Sequence, residues 1–221
     1  MTSQAPIGHV AMPARVAALP RNKVGYPIPW FVATLEDGTR DFRVASADLM
    51  VNAVKQQLCW VCGQQLGSYV AFVIGPMCAV NRVSAEPPAH RDCALYSAMV
   101  CPFLSHPGMR RREIDVAEPT ITPAGRPLMR NPGVALVWIT RSYRVVKSPG
   151  GNKGILFRIG DATETAWFAD GRKATRAEVL ASMTSGLPAL QEACQLDDDP
   201  DESLRDLDSD YRRALALVPT S

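Results

Sequence analysis

The sequence has no continuous apolar stretch long enough to cross a bilayer, because no run approaches the ~18 residues of a membrane helix. Residues 1–19 also lack the basic start and the continuous apolar core of a secretory signal peptide. We therefore expect a cytoplasmic protein with no membrane partner. In a reducing compartment, the six cysteines indicate a metal ion or free thiols before disulfides.

Common catalytic motifs are also missing. The chain has no G-x-S-x-G element, no phosphate-binding loop and no dinucleotide-binding fingerprint. A zinc deaminase would place His-x-Glu before Pro-Cys-x-x-Cys, whereas here the cysteine pair comes first. The three histidines are His9, His90 and His106, so few general bases are available. These absences weigh against an enzyme.

Four residues carry most of the chemistry of the sequence. They form a C-x2-C pair and an H-x2-C pair that are separated by 27 residues, and they are Cys59, Cys62, His90 and Cys93. Sulfur and imidazole ligands in two such pairs are typical of a tetrahedral zinc site. Four protein ligands leave no coordination position for water or substrate. The sequence therefore predicts a structural Zn²⁺ ion.

Two other cysteines compete for the position of His90. Cys78 follows a predicted buried strand, and Cys101 lies about two helical turns beyond Cys93. Either would give an all-cysteine site. The matched spacing of the two pairs favours His90, and Cys194 is interpreted as a core residue of a late helix.

The elements around these pairs follow from local patterns. Apolar runs predict strands over residues 30–35, 41–45 and 69–74, with 77–80 resuming the last strand after a break. Ser46 is the expected N-cap of a helix that runs to about residue 58. A second helix is expected over residues 89–101, with His90 and Cys93 on one side of its first turn. Gly63 is expected to close the turn behind the first cysteine pair.

This order of knuckle, β-hairpin and ligand-bearing helix resembles a treble-clef zinc finger over about residues 59–102. Treble clefs occur in nucleic-acid readers, protein-interaction modules and some nucleases. More widely, four blocks of the chain are similar to a family of uncharacterised bacterial and phage proteins. They are Leu58-Cys-Trp-Val-Cys-Gly63, Gly75-Pro-Met-Cys-Ala-Val-Asn-Arg82, Glu86-Pro-Pro-Ala-His90 and Gly171-Arg-Lys-Ala-Thr-Arg-Ala-Glu178. That resemblance implies no activity.

The distribution of proline predicts four regions. An extended arm spans residues 1–29, a zinc-binding α+β unit spans 30–105, a Pro/Arg-rich linker spans 106–133, and a sheet with helices spans 134–221. The last region should contain strands at 134–147, 155–159 and 165–168. A helix capped by Thr175 and Glu178 should end near Gly186, a short one should span 188–196, and another should follow Asp199. The predicted fold class is α+β.

The charge is unevenly distributed although the net value is only +2. Residues 197–221 hold eight acidic and three basic residues, a balance of −5 that leaves +7 for the rest of the chain. A basic body suits an anionic partner. The candidate anion contacts are Arg82, Arg91, Arg110, Arg111 and Arg112.

These features predict a zinc-stabilised, non-enzymatic binding or adaptor protein. Its partner is expected to be a nucleic acid or another protein. The alternative is a zinc-dependent nuclease or other hydrolase on a treble-clef scaffold, with His106 as the one histidine left for catalysis.

Overall fold

The structure is a computed structural model that describes residues 11–105, 132–147 and 154–220. It confirms the predicted α+β class, with small antiparallel sheets and C-terminal helices. Most of the predicted linker lies outside the described residues, as do Arg110, Arg111 and Arg112. Within the described part of the chain, no helix is both long enough and apolar enough to span a bilayer.

The described residues form seven helices and nine strands. The helices are α1 Ala14–Ala17, α2 Ala47–Gln56, α3 Pro76–Asn81, α4 Arg91–Val100, α5 Pro102–Ser105, α6 Arg176–Cys194 and α7 Pro200–Leu215. The strands are β1 Val32–Thr34, β2 Arg40–Ala45, β3 Val70–Ile74, β4 Val83–Ser84, β5 Ala135–Thr140, β6 Tyr143–Lys147, β7 Ile155–Ile159, β8 Ala162–Ala169 and β9 Arg172–Lys173.

The centre of the fold is an antiparallel sheet in the order β3-β5-β8-β9. Every residue of β5 is buried, because both faces of the sheet are covered. Leu136 and Trp138 point into a core shared with α3, α6 and α7. Val137 and Ile139 point to the opposite side, into a core shared with α4 and the cysteine pair. The sheet thus joins strand β3 of the predicted unit 30–105 to strands of the predicted unit 134–221.

A second sheet has the order β4-β7-β6. It packs Phe157 and Ile159 into the core that the central sheet shares with α3, α6 and α7, which we call the first core. The prediction of one continuous strand over 134–147 is wrong, because β5 and β6 belong to different sheets. The chain turns where the Thr140 hydroxyl donates to the Asp161 carbonyl at 2.8 Å and accepts from Ser142 N at 3.2 Å. These side-chain hydrogen bonds replace the inter-strand backbone hydrogen bonds that would have continued the strand.

Two further predictions of secondary structure are wrong. Residues 77–80 belong to helix α3, which begins after the N-cap Gly75 with Pro76 in its first turn. Helix α6 does not end near Gly186 but continues through Pro188 to Cys194. A Cβ atom at Gly186 would lie 2.8 Å from Met77 Cγ, so the close packing of α3 on α6 uses this glycine inside the helix.

The predicted helix caps are confirmed. Ser46 accepts from Leu49 N, and Thr175 forms a capping box with Glu178. Asp199 caps α7, whose apolar stripe is docked on the body. The Trp167 indole also donates to the Leu217 carbonyl at 2.8 Å, which fixes the end of α7 against β8.

Candidate metal centre

The structure brings all four predicted ligands together. One ligand atom from each residue, the sulfur of Cys59, Cys62 and Cys93 and a ring nitrogen of His90, lies within 4.8 Å of the other three. Cys59 and Cys93 are completely buried, Cys62 is buried, and His90 is half-buried. The group can therefore hold a metal ion.

The first cysteine pair sits on a tight turn that the backbone closes on itself. Cys59 N donates to the Gln64 carbonyl and Gly63 N donates to the Cys59 carbonyl, both at 2.8 Å. Gly63 has φ +71°, a conformation that glycine adopts without strain. A Cβ atom there would lie 2.6 Å from the Trp30 ring. The predicted role of Gly63 is confirmed, and the ring of Trp30 adds a second reason for a glycine at this position.

The second pair is positioned by the start of α4. His90 is the N-cap residue, and Cys93 lies in the first turn. The segment before the helix is held on the central sheet, because Ala89 and Ala71 exchange two backbone hydrogen bonds of 2.8 Å. Cys59, Cys93 and Ala71 lie in the same apolar core, so the sheet and the metal-ligand group are packed together.

The hydrogen bonds of His90 select its ligand nitrogen. Nε2 lies 2.9 Å from the backbone oxygen of Gln65, and a carbonyl oxygen can only accept. Nε2 is therefore assigned the proton, which leaves the lone pair of Nδ1 directed at the sulfurs. Nδ1 lies 3.4 Å from Cys62 Sγ. A metal-ligating histidine commonly donates its other ring N–H to such an acceptor.

Backbone N–H groups also point at the sulfur of Cys59. His90 N lies 3.3 Å and Cys62 N lies 3.5 Å from Cys59 Sγ. Hydrogen bonds to the charged form of a group favour that form. The two peptide groups thus stabilise a thiolate at the buried end of the site.

Hydrogen bonding among the three thiols favours the thiolate of Cys62 and disfavours the thiolates of Cys59 and Cys93. The pKa of Cys62 is lowered to about 2, chiefly by hydrogen bonds from Cys59 and then Cys93. The pKa of Cys59 is raised, chiefly by the Cys62 side chain, and that of Cys93 is raised by both neighbours. Three adjacent thiolates need a compensating cation, because like charges in one site disfavour each other. A divalent metal ion supplies that charge and deprotonates coordinating thiols.

One of the ligand separations matches the spacing around a small tetrahedral ion. Zinc–sulfur bonds of about 2.3 Å and zinc–nitrogen bonds of about 2.0–2.1 Å place a sulfur and a nitrogen about 3.6 Å apart in a tetrahedron. The observed distance between Cys62 Sγ and His90 Nδ1 is 3.4 Å. The donor set of three sulfurs and one nitrogen is one that structural zinc sites use.

The competing cysteines are not part of this group. The described residues contain no second group of three or more metal-ligating side chains, and neither Cys78 nor Cys101 belongs to the one found. Cys78 is exposed on α3, and Cys101 lies half-buried at the end of α4. Cys194 is half-buried against the first core.

The described arginines among the candidate anion contacts are both ion-paired. Arg82 Nη2 lies 2.6 Å from Asp161 Oδ1, and its guanidinium carbon lies 5.4 Å from the centre of the Trp138 ring. Arg91 makes a two-pronged contact with Glu164, in which Nε lies 2.8 Å from Oε2. Hydrogen bonding to Arg91 lowers the pKa of Glu164. These partners were not predicted from the sequence, since both lie more than 70 residues away.

An open groove of about 500 Å³ lies between the N-terminal arm and the β1–β2 hairpin, and none of the four metal-ligand residues lines it. Trp30, Val32 and Leu49 line it, and Arg40 is the one ionisable side chain in its lining. A hydrolytic centre needs a general base or a bound water activated by a metal. The groove lining supplies no candidate general base.

No protein-family model, curated protein or solved structure matches this chain. The resemblances to a treble clef and to a bacterial and phage family therefore stay predictions. Between residues 63 and 90, all of which the structure describes, antiparallel pairing is limited to one bridge of Ala71 with Ala89, while β3 pairs along its length with β5 and helix α3 follows it.

Proposed function

We propose that Cys59, Cys62, His90 and Cys93 bind one structural Zn²⁺ ion in a non-enzymatic binding or adaptor protein. The observation that carries the proposal is the convergence of four protein ligand atoms within 4.8 Å, three of them from buried cysteines. A site closed by four protein ligands has no position for a substrate or a reactive water. The ion then stabilises the fold and takes no part in chemistry.

The place of the site in the fold supports a structural role. The two ligand pairs lie on opposite sides of β3 in the chain, and the ion would join the turn after α2 to the start of α4. Its neighbour Trp60 stacks on Phe31 with ring centres 4.9 Å apart. The zinc site would thus connect the N-terminal hairpin to the core of the sheet.

The binding partner in this proposal is a nucleic acid or another protein. Thiols outside disulfides suit the reducing cytoplasm, where disulfides are rare, and Cys78 and Cys194 are such thiols. No contact of the described residues favours the alternative of a zinc-dependent nuclease. The nuclease would need His106 as its catalytic histidine, and His106 lies outside the described residues.

Elemental analysis of the purified protein tests the zinc site. We expect about one zinc per chain, as one four-ligand cluster requires. Cys93→Ser should lose zinc and melt at a lower temperature, because metal binding contributes directly to folding. Cys194→Ser is the matched control and should keep zinc. Full zinc occupancy in Cys93→Ser would show that the ligand assignment is wrong.

The non-enzymatic part of the proposal has a separate test. The zinc-loaded protein should leave single-stranded and double-stranded DNA and RNA intact in the presence of Mg²⁺. Cleavage that is lost in His106→Ala, in a variant that keeps its zinc and its melting temperature, would replace this proposal with the nuclease.

A further inference from the structure

Two arginines lie side by side on the second sheet. Arg144 on β6 pairs directly with Arg158 on β7, and Arg158 pairs on its other side with Val83 on β4. Directly opposite residues of an antiparallel pair share a face, with Cβ atoms about 4.5–5.5 Å apart. We call Arg144 and Arg158 the arginine pair.

The arginine pair faces outward. Phe157 and Ile159, the neighbours of Arg158 along β7, are buried in the core. Because side chains alternate along a strand, Arg158 points to the opposite face. Both arginines are exposed, and neither makes an ion pair or side-chain hydrogen bond with any residue that the structure describes. Like charges placed directly opposite destabilise a sheet, so this arrangement costs folding free energy that no ion pair with a described acidic residue offsets.

In the sequence, the stretch that contains the arginine pair carries charge of one sign. Residues 119–160 contain no aspartate or glutamate. The same stretch contains seven basic residues, namely Arg126, Arg130, Arg141, Arg144, Lys147, Lys153 and Arg158. The next acidic residue, Asp161, is already paired with Arg82. A sequence stretch with this one-sided charge favours a polyanion as its partner.

An exposed aromatic ring lies at the turn that leads into β6. Tyr69 is 51 % exposed, and the guanidinium carbon of Arg141 lies 5.3 Å from its ring centre. Tyr69 precedes β3 and Arg141 follows β5, and these two strands pair there through Val70 and Thr140. Aromatic rings with arginine beside them are used to stack bases of single-stranded nucleic acids.

We propose that the outward face of the sheet β4-β7-β6 binds the phosphate backbone of a single-stranded nucleic acid through the arginine pair, with Tyr69 stacking on a base. This inference rests on the proposed binding function and names its partner. Guanidinium groups bind phosphate oxygens through two parallel hydrogen bonds. An acidic peptide would satisfy the same charges, but it would leave the exposed Tyr69 ring without a base to stack on.

The test measures binding of the zinc-loaded, full-length protein to fluorescein-labelled oligothymidylate by fluorescence anisotropy. R144A/R158A should weaken binding by at least about 10-fold and lower the slope of log affinity against log salt by about 1.4, which is the loss of two phosphate contacts on a single strand. The matched control R212A/R213A removes the same charge from α7, where both arginines are ion-paired to aspartates. It should bind within about 2-fold of the wild type.

Tyr69→Leu separates base stacking from charge. It should weaken binding to the single strand by about 10-fold while changing binding to a duplex of the same sequence much less, because stacked bases are accessible only in single strands. Equal losses for both ligands would overturn the stacking role. Polyglutamate that competes as strongly as oligothymidylate would overturn the nucleic-acid assignment in favour of an acidic protein.

Three results would overturn the arginine pair as the contact. They are no binding by the wild type at low salt, wild-type affinity in R144A/R158A, and equal losses of affinity in R144A/R158A and R212A/R213A.

If R144A/R158A melts at a lower temperature than the wild type, chemical modification of the wild type by phenylglyoxal replaces the variant as the test. Bound oligothymidylate should protect Arg144 and Arg158 from modification, and a lack of protection would overturn the inference. Zinc is measured on each sample, so zinc-loaded protein that does not bind contradicts this inference alone, and zinc-free protein contradicts the proposed function.

Discussion

The ring nitrogen Nε2 of His90 lies 2.9 Å from the backbone oxygen of Gln65. Gln65 also forms an isolated β-bridge with Leu58, immediately before the first cysteine. The turn that carries Cys59 and Cys62 therefore also orients the histidine of the second pair. The backbone of this turn thus couples the two halves of the site independently of a bound metal ion.

This relationship predicts that His90, and neither competing cysteine, is the fourth ligand. His90→Ala should reduce zinc affinity by more than the roughly 10- to 100-fold that loss of an outer hydrogen-bond partner costs. Cys78→Ala and Cys101→Ala should keep about one zinc per chain, since neither belongs to the group. Competition with a chelator of known zinc affinity measures all three variants.

The outcome that contradicts the ligand assignment is specific. If Cys78→Ala or Cys101→Ala loses zinc while His90→Ala keeps it, four cysteines bind the ion. His90→Cys is the informative companion variant, because a fourth thiolate at this position should retain zinc if the position itself is correct.

A second prediction concerns the turn behind the first cysteine pair. Gly63→Ala should destabilise the zinc-loaded protein by about 2–5 kcal/mol, through left-handed strain of about 1–2 kcal/mol and overpacking of about 1–3 kcal/mol against Trp30. The strain follows from φ +71°, and the clash from a Cβ atom 2.6 Å from the ring. Denaturation by urea at constant zinc concentration measures the loss.

Gly38 provides a matched control for that prediction. It has φ +77°, and nothing lies within 4 Å of the position of a Cβ atom. Gly38→Ala should therefore show the strain alone, about 1–2 kcal/mol. Equal losses at the two positions would show that the contact with Trp30 contributes nothing.

Local features of the fold could be predicted from the sequence because their partners are close in the chain. Ser46, Thr175 and Asp199 cap their helices through backbone groups three residues away, and such bonds depend on few other residues. The ligand pairs were visible for the same reason, since their spacing is fixed by one turn and by the start of one helix. The α+β class followed from the order of the predicted helices and strands along the whole chain.

The wrong predictions depend on distant contacts. Residues 77–80 look like a strand by composition, but Pro76 starts a helix whose Met77 packs on Gly186. The strand 134–147 is interrupted where the Thr140 hydroxyl donates a hydrogen bond to the Asp161 carbonyl. No pattern within a short window signals either contact. The Gln65 carbonyl that orients His90 was equally invisible, because a backbone oxygen leaves no trace in the residue type.

The last prediction concerns acid stability and the capping box of α6. Arg172 and, next, the backbone and side chain of Thr175 lower the pKa of Glu178 to about 2 from its ordinary 4.5. A carboxyl whose pKa is lowered by folding stabilises the native state above its unfolded pKa, and this stabilisation is lost as the pH falls from 4.5 to about 2. Glu178→Gln keeps a capping side chain but removes the charge. The variant should be less stable than the wild type near neutral pH, and the difference should shrink towards zero as the pH falls to about 2.

Urea midpoints of Glu178→Gln, of the wild type and of the control Glu36→Gln, each measured across this pH range, provide the check. Glu36 is exposed, and its substitution should leave the midpoint unchanged. Acid also releases zinc, because its ligands take up protons, but that loss is common to all three proteins and cancels in the difference at each pH. A gap between Glu178→Gln and the wild type that stays constant down to about pH 2 would contradict the ion pair with Arg172 as the source of the stabilisation.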